Sequence, residues 1–461
     1  MARIVIIGAG MSGLAAAARL ATLGHRVTVC EAGPTYGGEI GRYERDGFAF
    51  DTGPTLLALP AVYRDLALKT GKEPLEQLVE LSPVEPESRH LFPDGTDLLL
   101  PNASRGGVVQ ALDTAFGPGS GERWSEVMNR ARTVWEATRR PLLEEPLPAD
   151  PAPLHTDPYP TAPRRGLARL RRTPSPTVAG VAAAELGGAG PTALLYEYAL
   201  RYGLDPRTAP AGATLLAYME QSFGVWSVGG GMRALADAVF RRCEQRGVEF
   251  HFDTAVTEVL EADGRVTGVA AGERRFEADT VLSARAEDTP ATRPGQARLT
   301  VLLALRGERP PGAAVRTVVH ARDTAAELTE LFDAAEFPRH PTVQVHRPAD
   351  PTLAPAGHEA VTLTVTVPPV AVPEDYPAHL LDHLAAAGLD LRDRIRWIEP
   401  LAPGRTQPLP SLAGAGGSFL SPPNETGLAG LYRIGAAAHP GGGLARAGMS
   451  ASIVAGLVGP A

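Results

Sequence analysis

The chain has 461 residues, 44% of them apolar, a formal net charge of −8 and two cysteines, Cys30 and Cys243. This length suits two domains with sizeable cores, and the mild negative charge gives no global footprint for nucleic acid. Two cysteines far apart in sequence make neither a disulfide framework nor a zinc site, and no apolar run is long enough to read as a transmembrane helix.

Residues 4–7 are apolar and largely β-branched, the pattern of a strand buried on both faces. They run into Gly8-Ala9-Gly10-Met11-Ser12-Gly13. Residues 14–23 are rich in Ala and Leu and predict a helix, Gly24 ends it, and residues 26–30 predict a second strand closed by Glu31. Strand, G-x-G-x-x-G, helix, strand and acid in this order predict a dinucleotide-binding unit. Gly8 permits the tight turn, Gly10 lets a pyrophosphate approach the backbone, and Gly13 lets helix and strand pack closely. The helix start, with Ser12, offers N–H groups to the anion. Glu31 can accept from ribose hydroxyls and would repel a 2′-phosphate. FAD and NAD both fit at this point.

The next residues narrow the choice. Ala32-Gly33-Pro34-Thr35-Tyr36-Gly37-Gly38 resembles the second glycine pair of the flavin-dependent amine oxidase and phytoene desaturase superfamily. Where that family usually has arginine after the pair, this chain has Glu39, with Arg42 three residues on. Gly47-Phe48-Ala49-Phe50-Asp51-Thr52-Gly53-Pro54-Thr55-Leu56-Leu57 resembles the segment that follows in bacterial carotenoid desaturases of the phytoene desaturase type. The resemblance implies that Ala32, Gly38 and Glu39 belong to the cofactor site. It implies that Thr52, Gly53, Pro54 and Thr55 line a flavin, and that Leu56, Leu57 and Leu59 face an apolar ligand. Taken alone, the stretch is a β-turn with core leucines.

Residues 141–176 hold ten prolines and an arginine run, Pro163 to Arg172. They predict a loop without regular helix or strand. Its arginines, with Leu167 and Leu170, form a solvated basic loop or, as the alternative, touch anionic lipid headgroups. Residues 232–245 predict a helix, 248–252 a strand, and 253–283 a β-meander. By resemblance, Val256 places its backbone against an adenine. Cys243 reads as core. Residues 297–400 alternate β-rich runs with an amphipathic helix near 378–387. His379 and His383 have the i, i+4 spacing of a metal pair but no third ligand nearby, so they read as surface histidines and no metal is expected.

At the C-terminus, residues 431–434 predict a strand, Gly441 to Gly443 a turn, and residues 444–457 a helix. This resembles the final flavin motif of the carotenoid desaturases. The helix start would face the N1–C2=O edge of the flavin, which becomes anionic on accepting a hydride. Gly435, Gly443, Leu444 and Met449 are the cofactor candidates here. His439 is a candidate for proton handling, or else orients the glycine turn.

The expected fold is α/β: a discontinuous Rossmann-like FAD-binding domain (1–85, 226–290, 400–461) with an α+β substrate-binding domain (86–225, 291–399). FAD is expected to be non-covalent, since neither cysteine sits in an attachment context. The implied reaction is desaturation of a long apolar polyene by hydride transfer to flavin N5. Its rivals are an amine oxidase, a polyene saturase or isomerase, and a non-catalytic prenyl-lipid-binding protein. The expected partner is a lipophilic small molecule and not a nucleic acid. The expected location is the cytoplasm, with peripheral contact at the inner face of the membrane as the alternative.

Overall fold

A computed structural model describes residues 1–160, 176–285, 295–402 and 409–461. Five parallel strands make the first sheet, in the order Glu249–His251, Arg26–Cys30, Arg3–Ile7, Thr280–Ser283 and Leu431–Arg433. Both ends of the chain and two middle segments therefore meet in one layer. Residues Ile4 to Ile7 are buried, as a central parallel strand covered on both faces requires. The helix Met11–Thr22 packs against the helices Arg233–Gln245 and Leu444–Val458. Its run Ala15 to Ala18 is fully buried, and the small side chains allow those close approaches.

A second layer is a seven-stranded sheet in the order Ile395–Leu401, Ala297–Arg306, His358–Val367, Val343–His346, Arg316–Val319, Ser88–Leu91 and Asp97–Leu100. It is antiparallel except where Arg316–Val319 runs parallel to Ser88–Leu91. Alternate residues of its long strands, such as Leu299, Val301 and Leu363, bury with Leu380 and Leu384 of the helix Tyr376–Ala386. The predicted meander is an antiparallel three-stranded sheet of Glu258–Ala262, Arg265–Ala271 and Arg274–Glu277.

Three expectations change. The start of the proline-rich segment is not plain loop: the helix Ser120–Arg139 runs on into a wide turn, Arg140–Glu144, that holds Pro141 at its start. Proline has no N–H for the carbonyl four residues back, so the regular helix gives way there to the wider turn. A 3₁₀ turn follows at Ala152–His155, and the arginine run lies outside the described residues. His383 is not at the surface: it is buried on the inner face of its helix, while His379 is exposed and its ring donates to the Arg339 carbonyl. The third change concerns Leu57 and is taken up with the site. Among the described residues no helix is long and apolar enough to cross a membrane, and no three His, Cys, Asp or Glu side chains gather as a metal site.

Candidate active site

The first glycine loop contains two different kinds of glycine. Gly8 has φ +102°, and a Cβ on Gly13 would lie 2.0 Å from the Gly8 carbonyl oxygen. Those two are required by the protein itself. Gly10 has φ −68°, and a Cβ there would meet nothing nearer than Gly38 Cα at 3.9 Å. No protein atom demands glycine at position 10, so the space beside it is a cradle that a side chain would fill. The helix Met11–Thr22 begins there without a side-chain cap and without an acid in its first turn, which leaves its positive end facing that cradle. Gly13→Ala is expected to lower the melting temperature clearly while Gly10→Ala barely moves it in the flavin-free protein; thermal unfolding followed by circular dichroism checks both.

The other loops settle onto this one. Glu31 accepts from Ala9 N at 2.7 Å and from Gly33 N at 2.8 Å. Gly37 N donates to the Ala9 carbonyl at 2.8 Å, and a Cβ on Gly38 would reach Gly10 Cα at 3.0 Å. A Cβ on Gly53 would lie 2.1 Å from the Glu39 carbonyl, so the second loop and the Gly-Pro turn are pressed together. Ala32 and the Glu39 side chain are exposed. Arg42 turns to Glu44 and the Gly230 carbonyl, and Thr52 N donates to the Gly41 carbonyl. Val256 is buried near the end of the same sheet, where Thr254 N donates to the Glu31 carbonyl and Arg285 donates to the Val256 carbonyl.

The C-terminal motif closes onto the N-terminal one. Gly435, at φ +91°, would put a Cβ 3.0 Å from Ser12 Oγ, and its N–H donates to Ser450 Oγ at 3.1 Å. The helix Leu444–Val458 starts at Gly443, φ +117°, again with no side-chain cap and no acid in its first turn. Tyr63 donates its hydroxyl to the Leu444 carbonyl at 2.9 Å, and Met449 packs against the main core.

The Gly-Pro turn and the start of the last helix open onto one cavity of about 190 Å³. Gly53, Pro54, Thr55, Leu56, Ala58 and Leu59 line it from one side, and Gly443, Leu444, Ala445 and Arg446 from another. Leu57 does not. In the short strand Leu57–Ala58, which pairs with Val225 and Trp226, Leu57 points the opposite way and is 0% exposed within the main core. Side chains alternate along a strand, so Leu56 and Leu57 face opposite ways; Leu59 lies past the strand at φ +50° and reaches the cavity while packing in the main core. His439 is not among the lining residues either. It is fully buried, one ring nitrogen is bound to the Glu145 carbonyl at 3.0 Å, and burial pushes its pKa down to about 4. A neutral ring held off the cavity fits the role of bracing the glycine turn and does not fit proton handling.

Two features escape the sequence. Asp51, in the Phe-Asp-Thr-Gly-Pro stretch, accepts from Met232 N at 3.0 Å and Arg233 N at 3.4 Å, and so caps the helix Arg233–Gln245 from across the chain. Burial pushes its carboxyl up to about 6. The far wall of the cavity is also charged. Arg316 bonds Glu87 at 2.7 Å and Glu220 at 2.5 Å, and Arg201 bonds Glu220 at 2.9 Å. Burial and the neighbouring Glu220 push Glu87 well up. Burial would also raise Glu220, but the Arg201 and Arg316 guanidiniums more than reverse it and hold its carboxyl at about 2. These four residues come from four separate stretches of the chain, and no local motif announces them.

Residues 11–285 match the model of the family described as flavin containing amine oxidoreductase. The chain belongs to this family. It is similar to the 4,4'-diapolycopene oxygenase of a Methylomonas species, with 26% identity over 98% of this chain and 97% of that one. It is also similar to the hydroxyneurosporene desaturase of Rubrivivax gelatinosus, with 27% identity over 98% and 92%. A solved oxidoreductase from Methanosarcina mazei shares the fold with a TM-score of 0.65 and 17% identity, covering 98% of this chain and 99% of that one. The protein is a flavin oxidoreductase of the carotenoid-desaturase type, and its first sheet and terminal motifs make the α/β flavin-binding fold of that family.

Proposed function

We propose that the protein binds FAD non-covalently and desaturates a long apolar polyene of the carotenoid class. One observation carries this reading: Gly53 to Leu56 and Gly443 to Leu444, from opposite ends of the chain, line a single cavity with the helix start among them. The relatives' names support the substrate class. Bound there, FAD would supply a hydride acceptor at N5. On the chain's side, the cradle at Gly10 and the start of the first helix would receive the pyrophosphate, and Glu31 the adenosine ribose. Leu56, Ala58 and Leu59 would hold the polyene and keep water out. No strong base is required, because the charge left on the polyene spreads along its conjugated chain as a proton leaves the neighbouring carbon. The domain limits 1–85, 226–290 and 400–461 for the flavin part, and contact of the protein with a membrane surface, belong to the same reading.

The charged wall favours a second reading, in which the polyene carries an oxygen at one end. A bare hydrocarbon would lie against the charged groups of Arg201, Glu220 and Arg316 and take water from them without offering a polar group in return.

Denatured protein is expected to release FAD into the supernatant; NAD alone, or no nucleotide after reconstitution, would refute the cofactor. Gly10→Val is expected to lose FAD by filling the cradle. Co-expression with a phytoene-producing pathway, followed by chromatography of the pigments, tests the reaction. Products of longer conjugation are expected, and an unchanged pigment profile counts against desaturation. Supplying hydroxylated and unhydroxylated polyenes side by side separates the two readings.

A further inference from the structure

Arg446 stands in the first turn of the last helix, and its guanidinium folds back over the helix start. A Cβ on Gly443 would lie 3.6 Å from Arg446 Nη1 and 3.7 Å from the Tyr202 ring. Arg446 is 6% exposed and lines the cavity. Two other guanidiniums of that wall face carboxylates, Arg201 with Glu197 and Glu220, and Arg316 with Glu87 and Glu220, while Arg298 donates to the Arg201 carbonyl. Among the described residues no carboxylate lies within 4.0 Å of Arg446, and its polar neighbour is the Tyr202 phenol. Burial holds the guanidinium below the usual arginine value, with the phenol opposing.

Two positive sources thus share one spot. The helix start carries a partial positive charge with neither cap nor acid to offset it, and a buried guanidinium is laid over it. A buried cation without a counter-charge is strongly unfavourable. The arrangement suits a ligand that carries negative charge on the cavity side.

We propose that Arg446 is the group that holds the negative charge a bound flavin gains on reduction, acting with the start of the last helix on the N1–C2=O edge of the ring. This rests on the reading that the final glycine turn holds the flavin. The charge balance is simple. The hydride brings two electrons and one proton to N5, the neutral ring becomes an anion, and the polyene then gives up one further proton. Arg446 stabilises that anion and has no part in moving the proton.

Sulfite tests this without substrate or turnover, because it adds at N5 and leaves the same negative charge on the ring. The FAD-loaded wild type is expected to bleach with sulfite. Arg446→Gln is expected to keep its flavin but bind sulfite about tenfold more weakly or worse, matching a fall of about 30 mV in the two-electron reduction potential for each tenfold change. Arg446→Lys, which retains the charge, should recover most of the loss. Equal sulfite affinity in the wild type and Arg446→Gln overturns the proposal, and so does a wild type that sulfite does not bleach, whether or not the variant folds. A polyene carboxylate such as retinoate supplies the remaining arm. If it perturbs the flavin spectrum only in the wild type while sulfite affinity is unchanged, the guanidinium serves a ligand carboxylate and the proposal falls. Wild-type protein that binds no flavin overturns the reading of function together with this proposal, whereas flavin-loaded variants with unchanged sulfite affinity overturn this proposal alone.

Discussion

Leu57→Asp is expected to abolish folding, while Leu56→Asp leaves a folded flavoprotein that no longer turns over. Leu57 is fully buried among the residues that join the first helix, Tyr63 and Leu66 into one core. A carboxylate there finds no partner and no water, which costs several kcal/mol even after relaxation. A domain stable by about 5–15 kcal/mol does not absorb that together with the lost leucine. Leu56, one residue earlier, is half-buried against Val84, Val225 and Val315 and borders the cavity. Aspartate at that position would put charge against an apolar ligand at the edge of a small cluster and leave the main core untouched. Soluble yield and far-ultraviolet circular dichroism read the first outcome, and the visible flavin spectrum with pigment analysis reads the second. Soluble, flavin-loaded Leu57→Asp protein would show that the alternation along the strand has been misjudged.

Arg316→Leu is expected to destabilise the protein by about 3–5 kcal/mol, the range found when one partner of a buried ion pair is removed. Arg316 bridges Glu87 and Glu220, and all three are buried. Glu87 already leans to its neutral form, but Glu220 is held ionised by two guanidiniums and would keep only Arg201. The sign of the pH dependence follows. Glu220 has a folded-state value of about 2, below that of an unfolded glutamate. Its contribution is therefore present above about pH 4.3 and is lost as pH falls towards 2. Removing Arg316 raises the folded-state value, so the deficit of the variant should be larger at pH 7 than at pH 3. Urea unfolding at the two pH values measures it. Equal deficits would mean that packing and not charge holds the wall together.

The nucleotide-binding unit was readable because its signals are local. A strand, a glycine loop, a helix and an acid within about thirty residues constrain one another's backbone geometry whatever the rest of the chain does. The same holds for the glycine turn before the last helix and for the long alternating strands Ala297–Arg306 and His358–Val367. The pairing of the two chain ends could be inferred only through a family resemblance, because nothing in residues 1–60 refers physically to residues 430–460. The contact of Gly435 with Ser12 shows what joins them.

What no local pattern could supply is the direction of each side chain and the company it keeps. Leu56, Leu57 and Leu59 form one apolar run in sequence; only the pairing of the short strand with Val225 and Trp226 turns Leu57 into the core and Leu56 to the cavity, while Leu59, past the strand at φ +50°, borders both. His383 and His439 look like ordinary polar residues until neighbouring elements bury them. Asp51 becomes a helix cap through residues about 180 positions away. The charged wall needs Glu87, Arg201, Glu220 and Arg316 to be brought together from separate stretches, and Arg446 becomes significant only because no carboxylate among the described residues comes within reach of it. Backbone conformation is set over a few residues and can be read along the chain. Burial and charge pairing are sums over neighbours distant in sequence, so they exist only once the sheets and helices have closed around the cavity.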